Sequence, residues 1–117
     1  MKKILIAALI IMTLLGVAGC GPKKNYDEFA KCLSAHNVTM YGAAWCPHCQ
    51  NVKKDFGNAF RFINYVECDD QTPGAEPEKC AAAGVEYLPT FQFTDGKKLF
   101  GEVSFEILSQ KTGCVLP

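Results

Sequence analysis

The segment Ala44 to Gln50 constrains the fold of this chain more than any other, because it holds two cysteines, Cys46 and Cys49, at a junction between two hydrophobic patterns. Before it, residues 38–43 form a short apolar run rich in strand-forming residues. After it, residues 50–57 carry apolar side chains at i and i+4, with charged residues on the other face. The sequence therefore predicts a strand, then Cys46 near the cap of a helix, with Cys49 one turn into it.

This position gives the two cysteines different predicted roles. Unpaired backbone N–H groups and the helix dipole stabilise a thiolate at a helix N-terminus. We therefore predict that Cys46 is the nucleophile. Cys49 points toward the helix body and is predicted to be the resolving thiol, which releases a mixed disulfide by intramolecular attack.

The two intervening residues favour an oxidant. Pro47 fixes φ at the first helical position without wasting a hydrogen bond, and His48 adds a donor and a partial positive charge beside the thiolate. Both should stabilise the reduced form, and a stabilised reduced form makes a dithiol pair an oxidant of other thiols. The alternatives are a structural disulfide or half of a zinc site, but zinc usually needs four ligands, and the sequence has no second Cys-X2-Cys or spaced His pair. We expect a redox site without a metal or cofactor.

Residues 1–19 are expected to be a signal peptide. Lys2 and Lys3 precede an uncharged run, Ile4 to Gly19, that is short for a membrane span. The run ends in Val-Ala-Gly-Cys20, which resembles the lipobox of bacterial lipoproteins. The resemblance implies cleavage before Cys20 and acylation of that residue. An uncleaved anchor and an ordinary signal peptide are the alternatives, and each of them still exports the domain.

Residues 20–25 would then be a lipidated cysteine and tether, and residues 26–117 one small domain. The five tether residues after Cys20 span at most roughly 17 Å. We therefore expect a lipoprotein anchored in the lipid bilayer, facing the periplasm or cell exterior. Without Lys2 and Lys3 the chain has ten basic and twelve acidic residues, and no basic patch indicates nucleic acid binding.

Further helices and strands follow from periodicity and turn signals. Ser104 is predicted to cap the last helix and Gly113 to end it, with Phe105, Ile107 and Leu108 facing inward. His36 is expected to be a surface residue rather than a ligand. The other predicted elements are a helix over 26–35, a strand in the latter part of 60–68, a polar loop over 69–77, a helix over 78–83, and strands over 91–94 and 97–101 joined by an Asp95-Gly96 turn.

This order of elements is that of the thioredoxin fold, an α/β fold with a central mixed sheet flanked by helices. Trp45 directly before Cys46, and Leu88-Pro89-Thr90 about forty residues later, match two signatures of that superfamily. Within it, residues 29–114 most closely resemble the small thioredoxin-like domain associated with bacterial homologues of vitamin K epoxide reductase. The matching segments are residues 31–33, 40–50, 65–69 and 111–114.

The resemblance implies roles for several residues. Pro89 would be cis and lie against the Cys46 sulfur, whereas a trans proline starting an edge strand is the structural alternative. The Leu88 backbone would pair with an extended substrate segment, and Trp45 would lie at the same substrate site. Reducing thioredoxins carry a buried aspartate where this chain has Met40, which argues against a reductase.

Four further cysteines remain if Cys20 is acylated and Cys46 pairs with Cys49: Cys32, Cys68, Cys80 and Cys114. In a small exported domain they imply disulfides, with three possible connectivities. We favour Cys68 with Cys80, because a strand end followed by a loop and a helix can return over twelve residues. That leaves Cys32 with Cys114. The rival interpretation makes Cys68 and Cys80 a second redox pair that relays electrons from the first.

These observations predict an exported, membrane-tethered thiol-disulfide oxidoreductase that acts on client proteins. The resemblance implies that a membrane quinone-linked enzyme similar to vitamin K epoxide reductase reoxidises it. The same site working in the opposite direction would be a reductase or isomerase. The non-enzymatic alternative is a lipoprotein that binds a soft metal such as copper(I) through Cys46, His48 and Cys49.

Overall fold

The computed structural model describes residues 23–117. The expected signal peptide, Cys20 and the first tether residues lie outside the described residues. Within residues 23–117, no helix has both the length and the apolar character needed to cross a membrane.

The described chain alternates helices with short strands. Its α-helices are α1 (Asp27–Ala35), α2 (Pro47–Phe56), α3 (Pro77–Ala82) and α4 (Phe105–Thr112), its strands are β1 (Thr39–Gly42), β2 (Asn64–Glu67), β3 (Thr90–Gln92) and β4 (Lys98–Phe100), and a 3₁₀ helix covers Gly57–Phe62.

The four strands form one mixed sheet in the order β2-β1-β3-β4. β1 pairs in parallel with β2 and antiparallel with β3, and β3 pairs antiparallel with β4. This order and these directions make the molecule a thioredoxin-like α/β fold, as predicted. The Cys46 helix follows directly from the carboxyl end of the central strand β1.

Three packed aromatic side chains fix the position of α2. Phe56 of α2 lies 4.4 Å from Phe105 of α4 and 6.3 Å from Phe29 of α1, measured between ring centroids. Phe29 and Phe56 are nearly fully buried. Because the C-terminal half of α2 is anchored in this core, its N-terminus is held at the end of the sheet.

Two details differ from the sequence prediction. The 3₁₀ helix over Gly57–Phe62 was not predicted, because the spaced aromatic residues of this segment are equally compatible with a strand. Ile107 was predicted to face inward but is 44% exposed. At about 100° per residue, Phe105 and Leu108 share one face of α4, and Ile107 lies on another.

Two disulfides cross-link the described chain. Cys32 of α1 is bonded to Cys114 after α4, and Cys68 after β2 is bonded to Cys80 of α3. This is the connectivity that the sequence favours. Cys114 is fully buried and Cys80 nearly so.

Candidate active site

Cys46 is the N-cap residue of α2, as the sequence predicts. Its backbone is extended, Pro47 occupies the first helical turn, and its Sγ accepts a hydrogen bond from the Cys49 backbone N–H at 3.2 Å. Side chains that accept from these otherwise unpaired N–H groups stabilise a helix N-terminus. The Cys46 sulfur therefore lies at the positive end of the α2 dipole.

Cys49 lies behind Cys46 and is fully buried. Both cysteines are in the thiol form. Burial, together with its hydrogen bond with Cys46, raises the pKa of Cys49 to about 12, against smaller opposing effects of the Ala43 backbone and Lys53. Cys49 is therefore a protonated thiol at neutral pH, which suits a group that attacks second.

His48 does not use its Nδ1 for the sulfur. This atom lies 2.8 Å from Oε1 of Glu102, which also accepts a hydrogen bond from Asn51 Nδ2 at 2.8 Å. The bonds from Asn51 and His48 hold the pKa of Glu102 below its usual range. The predicted positive charge of His48 is thus offset by a carboxylate. Sequence reasoning missed Glu102, which precedes the last helix and belongs to no motif.

The segment before β3 lies across from Cys46. The Leu88–Pro89 peptide bond is cis, and the Pro89 side chain is fully buried. Thr90 is also buried, and its hydroxyl donates a hydrogen bond to the carbonyl of Tyr87. Leu88 is half-buried.

A groove of about 480 Å³ opens beside Cys46. Residues 45–48 form one side of it and residues 85–88 the other, and both Cys68 and Cys80 also line it. The predicted site residues Trp45, Cys46, Pro47, His48 and Leu88 therefore meet at one groove. Cys49 does not line it.

A second polar pair lies near the buried thiol and was not predicted. The Tyr65 hydroxyl donates to Oε2 of Glu67 at 2.7 Å, and burial together with this bond raises the pKa of Tyr65. Glu67 Oε1 accepts from the backbone N–H groups of Ala44 and Asp69, each at 3.0 Å. Period-2 spacing in β2 is a signal that these two side chains share one face, but it does not show what that face meets.

Among residues 23–117, the single group of three ligating side chains within 4.8 Å is Cys32, His36 and Cys114. The two sulfurs of this group are bonded to each other and offer no thiolate. Within the described part of the chain, Cys46, His48 and Cys49 do not form such a group. The arrangement gives the copper alternative no support.

The chain is similar to two named proteins. It is 42% identical to thiol-disulfide oxidoreductase LTO1 from Arabidopsis thaliana over 88 residues, which are 72% of this chain and 23% of that protein. It is 24% identical to mycoredoxin 1 from Corynebacterium glutamicum over 74 residues, 63% of this chain and 91% of the relative. The chain spans less than a quarter of the length of the Arabidopsis relative. No family model matches it.

Similar solved structures are thioredoxins. Malassezia sympodialis thioredoxin aligns with a TM-score of 0.44 at 18% identity, and the alignment covers 84% of this chain and 97% of the thioredoxin chain. Oxidised thioredoxin O2 from Arabidopsis thaliana aligns with a TM-score of 0.42 at 20% identity and covers 82% and 92%. By its own sheet order the chain has the thioredoxin-like fold, and it is homologous to a protein named as a thiol-disulfide oxidoreductase.

Proposed function

We propose that this protein is a thiol-disulfide oxidoreductase that donates disulfides to client proteins through Cys46 and Cys49. One observation carries the proposal: the Cys46 sulfur caps α2 at a groove, and the fully buried Cys49 thiol lies directly behind it. Cys46 is only 3% exposed, but it borders the groove, whereas Cys49 does not. Cys46 is thus the sulfur that a client in the groove can meet, and Cys49 is placed for the internal exchange.

The proposed reaction has two exchange steps. A client thiolate attacks Cys46 of the oxidised pair, the Cys46–Cys49 bond breaks, and Cys49 leaves and takes up a proton. A second client thiolate then attacks the client sulfur of the mixed disulfide, and Cys46 leaves as a thiolate that the helix N-terminus stabilises. The client gains one disulfide, and the protein gains the two electrons.

The groove suits an extended protein segment. Trp45 is 68% exposed and Tyr87 61% exposed, so two large aromatic side chains flank the site and present much of their surface to solvent. Tyr87 also packs edge-on against Phe100, at 5.5 Å between ring centroids. Exposed aromatic residues often mark a binding surface. We assign the groove to the client, with the Leu88 backbone as the proposed pairing edge.

The direction of electron flow is proposed from the residues around the two thiols. Met40 is fully buried and supplies no carboxylate to the site. Pro47 at the first turn and the N–H bond to Cys46 both favour the reduced state, and a dithiol pair stabilised in this way is an oxidant.

We also propose that the protein is exported and tethered to a membrane through acylated Cys20. A membrane quinone-linked enzyme similar to vitamin K epoxide reductase would then reoxidise the Cys46 and Cys49 thiols. The lipobox-like sequence supports the anchor, and the short tether supports a membrane partner.

Client oxidation tests the main proposal. The full chain, oxidised at Cys46 and Cys49, is mixed with a reduced protein whose activity depends on its disulfides. We expect recovery of client activity with the wild type, none with Cys46→Ala, and a trapped client adduct in a Cys49→Ala chain whose Cys46 is first activated as a mixed disulfide. Equal recovery with wild type and Cys46→Ala would reject the proposal.

Radiolabelled palmitate tests the anchor separately. The wild-type chain should carry the label in the membrane fraction, and Cys20→Ala should not. An unlabelled wild-type chain would reject the tether.

Electron exchange tests the membrane partner. We expect the reduced protein to pass electrons to the purified membrane enzyme, and absence of exchange would remove that enzyme from the proposal.

A further inference from the structure

Cys49 must lose its proton whenever it attacks the mixed disulfide at Cys46. Its surroundings oppose this, because the thiol is fully buried and its pKa is raised to about 12. The charged and titratable groups that act on it are Cys46, Lys53 and Tyr65. Cys46 is the reaction partner and a lysine side chain offers donors but no acceptor, so Tyr65 is the one group of this set that can accept a proton from Cys49.

Tyr65 and Cys49 both pack closely against Gly42, which has no side chain to separate them. A Cβ atom at Gly42 would lie 3.0 Å from Tyr65 Oη and 3.2 Å from Cys49 Sγ. The hydroxyl oxygen and the sulfur therefore lie within about 6 Å of each other, a separation that one bridging water molecule can span.

The parallel register of the sheet creates this arrangement. Gly42 of β1 pairs with Glu67 of β2, and Met40 pairs with Tyr65. Residues two apart on a strand share a face, so Tyr65 and Glu67 lie together on the face where Gly42 lacks a side chain. Met40 on that face has no group that accepts a proton.

Glu67 is held in place as the outer end of this path. Its Oε2 accepts a hydrogen bond from the Tyr65 hydroxyl at 2.7 Å. Its Oε1 accepts hydrogen bonds from the backbone N–H groups of Ala44 and Asp69, each at 3.0 Å. It is partly exposed, whereas Cys49 is fully buried. A proton that reaches Glu67 can leave to solvent.

Tyr65 is suited to relay a proton rather than to keep it. A neutral phenol donates one hydrogen bond and still has lone pairs that accept another. The raised pKa of Tyr65 keeps it neutral at working pH. Lys53 Nζ lies 4.2 Å from the centre of the Tyr65 ring and limits the movement of the ring.

Building on the proposed function, we propose that Tyr65 and Glu67 form the path by which the Cys49 proton leaves and returns. As Cys49 Sγ attacks Cys46 Sγ, the Cys49 proton passes to Tyr65 Oη, the Tyr65 proton passes to Glu67, and the client leaves as a thiolate. One sulfur–sulfur bond forms and one breaks. In the oxidising direction Cys49 is the leaving group, and the proton returns along the same path.

The aromatic disulfide dithiobis(nitrobenzoate) separates the two steps without a protein client. Attack by Cys46 releases one coloured nitrothiobenzoate, and attack by Cys49 on the mixed disulfide releases the second. The full chain carries Cys20→Ser and keeps its two other disulfides, so that Cys46 and Cys49 are its only thiols. In the control variant Cys49→Ser only the first release can occur, so it gives the reference signal for that step.

In Tyr65→Phe we expect the second release to slow about tenfold or more at neutral pH, since a positioned proton acceptor contributes roughly 10² to 10⁴ in rate. The first release should stay within about twofold of the wild type, and the difference in the second should shrink as the pH rises. Glu67→Gln should slow the same step. Tyr41→Phe is the matched control, because its hydroxyl donates to Gln92, and Tyr41 lies on the opposite face of β1 from Gly42.

An unchanged second release in both Tyr65→Phe and Glu67→Gln would overturn the proton path. An equal slowing in Tyr41→Phe would also overturn it, because the effect would then be general to lost hydroxyls. A normal first release shows that each variant is folded at the site. If the wild type shows both releases but oxidises no protein client, the proposed function fails while the proton path is still decided by the second release.

Discussion

Removal of the Cys32–Cys114 disulfide should destabilise this protein more than removal of the Cys68–Cys80 disulfide. The first bond joins residues 82 apart in sequence, and the second joins residues 12 apart. A cross-link restricts the unfolded chain more strongly when the loop it closes is longer. The perturbation is the pair of double variants Cys32→Ala/Cys114→Ala and Cys68→Ala/Cys80→Ala.

The loop-entropy relation gives the magnitudes. The longer loop corresponds to about 4.5 kcal/mol of stabilisation and the shorter one to about 3 kcal/mol. Cys114 and Cys80 are both buried, so each double variant also loses buried sulfur atoms, and these losses partly cancel in the comparison. The expected difference is about 1.5 kcal/mol. The total free energy of unfolding of a domain of this size is about 5 to 15 kcal/mol.

Urea unfolding measures both free energies, with the Cys46–Cys49 pair oxidised in every sample. Each midpoint is analysed with its own slope, because loss of a cross-link exposes more surface in the unfolded chain. A loss in the Cys68/Cys80 variant that equals or exceeds the loss in the Cys32/Cys114 variant would refute the reasoning. The same Cys68/Cys80 variant should keep its rate of client oxidation if that disulfide is only structural, and a lost rate would favour the electron relay.

Three further predictions concern the site. The pKa of Cys49 in the folded protein lies above its ordinary value of 9.0. The free energy of unfolding of the reduced protein should therefore be unaffected by Cys49 below about pH 9 and should fall as the pH rises toward about 12. Unfolding of the reduced and oxidised forms at each pH should show it, and parallel curves would contradict it. Gly42→Ala should cost about 1 to 3 kcal/mol in urea unfolding, because the new Cβ lies 2.9 Å from Tyr65 Cε2, and a neutral result would contradict the geometry. Glu102→Gln should make the redox pair slightly more oxidising in glutathione buffers, because His48 loses the carboxylate that offsets its charge, and a shift in the opposite direction would show that Glu102 acts otherwise.

The features predicted from sequence are those that local chemistry determines. Cys46 became the N-cap of α2 because a strand pattern and a helix pattern meet there, and Pro47 fits only near the start of a helix. Ser104 caps α4, and Gly113 ends it in the left-handed conformation, at φ 78°. Each of these depends on residues within a few positions of one another.

The features that the sequence did not predict depend on strand register and on loops far apart in the chain. Tyr65 comes close to Cys49 at Gly42 only because β1 and β2 pair with Gly42 opposite Glu67. His48 meets Glu102 across 54 residues of sequence. Hydrophobic periodicity gives the face of a strand, but it does not give the register against its neighbour.

The central claim is that Cys46 and Cys49 donate disulfides, and the reduction potential of this pair tests it most directly. The full chain carrying Cys20→Ser would be equilibrated in glutathione buffers, with Cys49→Ala as the control that cannot form the bond. The account predicts a value toward roughly −120 mV, typical of strong thiol oxidants. A value near about −270 mV would contradict it and make the protein a reductase that receives electrons from elsewhere.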